Sequence, residues 1–202
     1  MTSKRIKKNK PNKRTNCAKL FIISGPSGAG KNAVVCGILK KLKNASRMVT
    51  CTTRKKRPNE KPGKDYYFLT EKEFKQRIKE SDFLEWAIVH KKHYYGNSKK
   101  ILEKLQKKYA IILLVIDVQG AKTIRKKALP HTSIFINAES EKKLISRIKK
   151  RKAMMSNESL KLRLASAAAE MKQAKKYDYQ VTNYENRLDE TIERVCAIIQ
   201  KN

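Results

Sequence analysis

The stretch 24-SGPSGAGKNAV-34 decides the fold. Gly25, Gly30 and Lys31 stand in the spacing G-x-x-x-x-G-K of a phosphate-binding loop, with Asn32 where that pattern carries Ser or Thr. Such a loop requires a buried strand before it and a helix after it. Leu20 to Ser24 (LFIIS) is a short apolar run, and beyond Lys31 the residues Val34, Val35, Ile38, Leu39 and Leu42 recur at helical spacing to about Lys43. Glycines let backbone N–H groups converge on phosphate oxygens, the helix N-terminus adds its positive dipole end, and Lys31 supplies a point charge. Gly25, Pro26, Ser27, Gly28, Ala29, Gly30, Lys31, Asn32 and Ala33 are therefore expected to line a nucleotide's phosphates. A Ser or Thr after the lysine would ligate Mg²⁺. The amide oxygen of Asn32 is also a hard donor and can serve directly or through water, so weaker metal placement is expected and loss of nucleotide binding is not.

Strands alternate with helices through the rest of the chain. The run 110-AIILLVID-117 reads as a second buried strand, followed by a helix from about Gln119 to Lys127. A third strand, 132-TSIFIN-137, precedes a helix carrying Leu144, Ile145 and Ile148 on one face. The Ala-, Leu- and Lys-rich segment from Glu158 to Lys176 is expected to be helical. After a short strand near 178-DYQVTN-183, a last helix places Leu188, Ile192, Val195 and Ile199 on one stripe. This alternation predicts an α/β fold, a parallel sheet core flanked by helices on both faces. Two segments break the rhythm. Residues 50–97 are richer in Tyr, Pro, Gly and Arg, with short strands at Tyr66–Leu69 and Glu85–His90 around a helix whose Thr70 and Glu73 form a capping box. Residues 149–157 (KKRKAMMSN) are basic and lie between two helices. The first reads as an inserted mixed α/β substrate domain, the second as part of a short helical lid, residues 147–163, within a core of residues 17–49 and 98–202.

A chain of 202 residues suits one compact domain with small excursions. Its 49 Lys+Arg against 18 Asp+Glu give a net charge of +31, which favours polyanionic company; weak, sequence-independent nucleic-acid binding is expected from charge alone. Residues 1–16 hold basic residues and no acid, with little apolar content, and are expected to form a disordered basic tail. Cys17, Cys36, Cys51 and Cys196 show no pairing spacing or zinc pattern and read as reduced, small hydrophobic residues. No apolar run is long enough to span a bilayer and no signal-peptide core is present, so a cytoplasmic, membrane-free protein is expected.

The stretch 50-TCTTRKKRP-58 places Arg54 and Arg57 three apart without an acidic residue among them, and guanidinium groups bind phosphate bidentately. Together, GPSGAGK, TTRKKRP, GKDYYF, FLEWA, YYGNS, IDVQGA and YDYQVTN occur in the order and spacing of guanylate kinase, from about residue 19 to residue 200. The chain resembles that family of phosphate-loop nucleoside monophosphate kinases. The resemblance implies ATP-dependent, Mg²⁺-dependent phosphorylation of GMP, with dGMP as a further acceptor. It implies that Arg54, Arg57, Tyr66 and Tyr95 grip the GMP phosphate, that Glu85 reads guanine, and that Thr50 and Asp117 make further contacts. Lys31, Arg54, Arg147, Arg151 and Arg163 correspond to residues that stabilise the transferring phosphoryl group, and Asn183 to one near the adenine of ATP.

The chain departs from the family at four further places, one of them Tyr184, where an acidic residue usually follows the position of Asn183. Asn97 stands where Ser or Thr is usual, and its amide can still donate to guanine O6. Val115 replaces an Asp two residues before Asp117, removing a carboxylate near the metal. Lys152 replaces a small Gly in a lid that is one residue longer. Two readings are open at this point: an active kinase, or a guanylate-kinase-like binding module impaired at the metal. His90, His93 and His131 need no role, and Trp86 is expected to pack.

Overall fold

Strand β1 (Lys19–Ser24) forms from the apolar run before the loop, and helix α1 (Lys31–Lys41) begins at the loop lysine. The computed structural model describes residues 18–89, 92–150 and 157–202, without the side chains of 148–150 and 157–163. The expected tail, Cys17, the end of the strand at His90, and Arg151 with residues 152–156 of the expected lid lie outside the described residues.

The remaining elements follow in chain order. Strands β2 (Ala45–Arg47), β3 (Cys51–Thr52) and β4 (Tyr67–Phe68) precede helix α2 (Glu71–Lys79). Strands β5 (Phe83–Val89) and β6 (His93–Ser98) lead into α3 (Lys99–Gln106). Then come β7 (Ile111–Val115), α4 (Val118–Lys126), β8 (Thr132–Ala138), α5 (Glu141–Lys150) and α6 (Asn157–Met171). A 3₁₀ turn (Ala174–Lys176), β9 (Tyr179–Asn183) and α7 (Leu188–Lys201) complete the order. The helix expected to reach Lys176 stops at Met171, because Lys172, Gln173, Lys175 and Lys176 offer no apolar face; the 3₁₀ turn instead drops Ala174 into the core.

Five strands make an all-parallel sheet in the order β2-β7-β1-β8-β9. Alternate residues of its strands supply two cores. On one face Phe21, Ile23, Leu113, Ile134 and Ile136 meet Val34, Val35 and Ile38 of α1 and Ile192, Val195 and Ile199 of α7. On the other, Leu20, Ile22, Ile112, Leu114 and Phe135 meet Leu102 of α3, Ala121 and Ile124 of α4, and Tyr177. Chain order explains the split. From β1 the chain crosses to β2 on one side; from β7 it crosses to β8 on the other, and right-handed crossovers in opposite directions put α1 and α4 on opposite faces. The loops after β1 and β7 therefore open side by side at the carboxyl ends of adjacent strands, where such sheets bind ligands.

A second, mixed sheet runs β4-β3-β6-β5, with β3 parallel to β4 and antiparallel to β6. Helix α2 covers it, stacking Phe74 on Phe83 with ring centroids 4.4 Å apart. The capping box at Thr70 and Glu73 is formed. Trp86, expected to pack, is 41% exposed: Glu85 and Ala87 point inward on β5, so Trp86 and Ile88 point out. Cys51 and Cys196 are buried free thiols, whereas Cys36 lies exposed on α1. Among the described residues, no helix is long and apolar enough to cross a membrane.

Candidate active site

The phosphate loop is shaped from in front and from behind. Gly30 adopts φ 89°, a left-handed conformation that suits glycine, as the residue before α1. A Cβ there would fall 2.3 Å from Nδ2 of Asn183, so glycine is required twice over. Asn183 is buried beneath the loop; its Nδ2 donates to the Ala29 carbonyl at 2.8 Å, and its Oδ1 accepts from the Thr191 hydroxyl at 3.3 Å. Both ends of the amide are thus engaged in holding the loop. Lys31 folds its ammonium back onto the carbonyls of Gly25, at 2.5 Å, and Pro26, at 3.0 Å. Asn32 and Ala33 are exposed in the first turn of α1.

The loop after β7 brings Asp117 beside this cradle. Its carboxylate caps α4 by accepting from Gly120 N–H at 2.8 Å. Burial raises the Asp117 pKa against the pull of the Gly120 amide and the Lys31 charge. Val115 is packed against the α1 face of the core and offers no oxygen.

Across from Asp117 lies Glu85. A bulge between Phe83 and Glu85 breaks the strand alternation and keeps Phe83, Leu84 and Glu85 all buried. Glu85 pairs across the ladder with Asn97, whose Nδ2 donates to Glu85 Oε1 at 2.6 Å, while Asn97 Oδ1 accepts from the Thr50 hydroxyl at 3.1 Å. One carboxylate oxygen is therefore held inside the protein. Gly120 gives Glu85 its room, since a Cβ there would fall 2.5 Å from Glu85 Oε2. Burial, with Asp117 nearby, pushes the Glu85 carboxyl up to about 7, against the Asn97 hydrogen bond and the Lys127 charge.

The arginine segment gathers around an acid that the short window 50–58 did not contain. Glu60 Oε1 accepts from Arg54 Nη2 at 2.7 Å, and Glu60 Oε2 accepts from the Arg57 backbone N–H at 2.9 Å. The expectation of arginines without an acidic neighbour is thereby corrected: the turn after Pro58 folds Glu60 back onto both. Arg54 lies over the Tyr66 ring at 5.3 Å, and Tyr66 meets Tyr95 edge-on at 6.0 Å. The Arg57 side chain is largely exposed.

Of the three lid arginines, Arg147 is half-buried on α5, Arg163 is on α6 without a described side chain, and Arg151 is undescribed. Sequence reasoning missed Glu60, Gly120 and Glu170. Glu170 lies on α6 and its Oε2 accepts from Ser27 N–H at 3.2 Å. The available signal was a lone acid in an alanine-rich segment, 167-AAAEM-171, whose Ala167 and Met171 pack inward.

A glycine-rich loop ahead of α1 thus stands beside Asp117, which in turn neighbours the buried carboxylate of Glu85, with the Arg54–Tyr66–Tyr95 cluster nearby. The family model for guanylate kinase matches residues 17–202. The guanylate kinase of Thermotoga maritima is 41% identical over 181 residues, covering 90% of this chain and 86% of the relative. That of Rickettsia bellii is 38% identical over 180 residues, covering 89% and 92%. The crystal structure of guanylate kinase from Anaplasma phagocytophilum superposes with a TM-score of 0.71 at 30% identity, covering 93% of this chain and 87% of that one. A shikimate kinase from Bacteroides thetaiotaomicron, at 11% identity and a TM-score of 0.51, shares the fold alone. With the family model spanning residues 17–202 and relatives about 40% identical over some 90% of its length, the chain belongs to the guanylate kinase family.

Proposed function

We propose that the enzyme transfers the γ-phosphoryl group of ATP to GMP, giving ADP and GDP, and that dGMP serves as a second acceptor. The observation that carries this reading is the buried Thr50–Asn97–Glu85 relay facing the phosphate loop across Asp117. Guanine presents two adjacent donors, N1–H and the 2-amino group, which an ionised Glu85 accepts. Thr50 turns the Asn97 amide so that Nδ2 serves Glu85 with one hydrogen and guanine O6 with the other. Adenine presents an acceptor at N1 and leaves the carboxylate unpaired, which is costly in a closed site.

Residues 50–97 act in this reading as the GMP domain and residues 147–163 as the lid. Arg54, Arg57, Tyr66 and Tyr95 hold the GMP phosphate, which takes the place of Glu60 on the guanidinium groups. The loop amides and Lys31 hold the ATP phosphates, and Asn183 serves them by fixing the loop. A phosphate oxygen of GMP attacks the γ phosphorus in line, the bond to the bridging oxygen breaks, and ADP leaves with its electron pair. Negative charge spreads over the equatorial oxygens, where Lys31, Arg54, Arg147, Arg151 and Arg163 stabilise it.

Mg²⁺ is the expected cofactor. Among the described residues no three acids, histidines or cysteines gather into a metal-holding group. That sparse set fits Mg²⁺, which keeps several waters and takes most ligands from substrate phosphates. The exposed amide oxygen of Asn32 is the donor available on α1. When bound, the ion neutralises charge on the β and γ phosphates. Replacing Asn32 by Ser is expected to lower the Mg²⁺ concentration for half-maximal rate by about tenfold, as ligand-shell changes commonly do. Titration of Mg²⁺ at saturating ATP and GMP checks this; an unchanged midpoint removes Asn32 from the metal's surroundings.

The reading is tested by following ADP release from ATP and Mg²⁺ with GMP, AMP or UMP. Release with GMP alone is expected. Absence of release, with GMP binding intact, would leave a binding module in place of an enzyme.

A further inference from the structure

Glu170 occupies a position that packing does not require. It sits on α6, yet its carboxylate leaves the apolar cluster of Leu144, Leu164, Ala167 and Met171 and meets the phosphate loop instead. Ser27 N–H, between Gly25 and Gly28, donates to it at 3.2 Å. Loop amides of this kind serve anionic oxygens, and a carboxylate accepting one is chemically a stand-in for a phosphate. Its surroundings match that role. Lys31 on α1 attracts it, Asp117 at the start of α4 repels it, and Tyr177 after the 3₁₀ turn faces it from the core. Burial and the Asp117 charge push the Glu170 carboxyl up to about 7, against the pull of Lys31 and the Ser27 amide. A carboxylate held there at such a cost has a competitor's address.

Resting on the reading of this loop as the ATP site, we propose that Glu170 is a resident anion of that site. In the nucleotide-free enzyme it fills the Ser27 side of the loop, and the terminal phosphate of ATP displaces it. Ser27 stands three residues before Gly30 and the first turn of α1, so Glu170 occupies one part of the loop and leaves the part nearest the helix to another phosphate. The phosphate nearer α1 meets amides free of Glu170, whereas the γ-phosphate must take its donor from a carboxylate. Glu170 therefore weakens binding of ATP selectively and brings its affinity closer to that of ADP, which lets donor and product exchange at comparable concentrations. It also supplies the loop with an acceptor when no nucleotide is bound. Glu60 on Arg54 and Arg57 shows the same chemistry at the other end of the site, a side-chain carboxylate on groups suited to phosphate.

The test is calorimetric binding of Mg²⁺–ATP and Mg²⁺–ADP at pH 8, where the Glu170 carboxyl is ionised, without GMP, to the full chain and to its Glu170→Gln and Glu170→Ala variants. Removing the charge is expected to tighten ATP binding by about tenfold, the effect of deleting one opposing charge near a phosphate, and ADP binding by less than about twofold. Glu170→Asp, whose shorter side chain withdraws from Ser27 but keeps its charge, is expected to fall between wild type and Glu170→Gln. A residue that merely braces the loop would give weaker binding in all three variants. ATP affinity unchanged or reduced in both Gln and Ala variants, with melting temperatures near wild type, overturns the proposal; equal tightening of ATP and ADP does so as well. If the wild-type chain binds neither nucleotide, the reading of the loop itself fails and the proposal falls with it. If wild type binds both and the variants bind no tighter, only the role of Glu170 is lost.

Discussion

Replacing Lys31 by Met is expected to lower kcat by about a thousandfold or more while leaving GMP affinity within a few-fold. Removing one charged group aimed at a transferring phosphoryl group carries losses of this order, because its charge acts most strongly where negative charge develops in the transition state. The ammonium lies on the carbonyls of Gly25 and Pro26, within the loop proposed to hold the ATP phosphates. The groups proposed to hold GMP, Glu85 and Asn97 on the second sheet and Arg54 and Arg57 in the loop between β3 and β4, are untouched by the change. Steady-state ADP release, paired with calorimetric GMP binding, separates the two effects. Activity within tenfold of wild type would remove Lys31 from catalysis. A matching loss of GMP affinity would point to a disturbed fold instead.

The second large effect belongs to Glu85. Glu85→Gln is expected to lower kcat/KM for GMP by about a thousandfold, with the KM for ATP nearly unchanged, because a buried site built to accept two donors rejects a mismatch strongly. Its pH dependence gives a finer check. In the free enzyme the carboxyl is pushed up to about 7, so at pH 6 it is mostly protonated, while guanine's donors require it ionised. GMP affinity should therefore rise by as much as about tenfold per pH unit below 7 and level off above it, with proton release on binding. The phosphate of GMP titrates in the same region, so the informative quantity is the difference in slope between wild type and Glu85→Gln. Stability runs the other way. A raised carboxyl pKa means that the folded chain binds more protons than the unfolded one between about 4.5 and 7. The Glu85 contribution to stability therefore falls as pH rises through that window. Identical slopes for the two proteins would sink the assignment.

Much of this was legible in the sequence because the decisive features are local. The glycine loop, the capping box at Thr70 and Glu73, and the apolar runs of β1, β7 and β8 are each set by residues within a few positions of one another. Four elements escaped. Strands β2 and β3 span three and two residues, too short for any period to register. Strand β6, HYYGNS, is polar and carries a glycine, and it is a strand because β5 and β3 flank it. Helix α3 makes barely two turns on a lysine-rich segment, and only its contact with the sheet through Leu102 distinguishes it from a loop. The site shows the same division. Glu85 was visible as a match to the family's motif and Asn97 as a departure from it, but the direction of their hydrogen bond depends on Thr50, which lies far away in sequence. Glu170 meets Ser27 across 143 residues, and nothing local announces it.

The clasp of Asn183 on Ala29 joins residues 154 apart. The loop leaves the ribosome well before the residues that brace it, Asn183 of β9 and Thr191 of α7. Contacts so distant in sequence form late, after the chain entropy of closing a long loop has been overcome. A nascent chain stalled before residue 179 would carry every glycine and the lysine of the motif, yet lack the strand that gives them their shape. Nucleotide would then meet a formed loop only after β9 has been made, and could not act as a template for the folding of what precedes it.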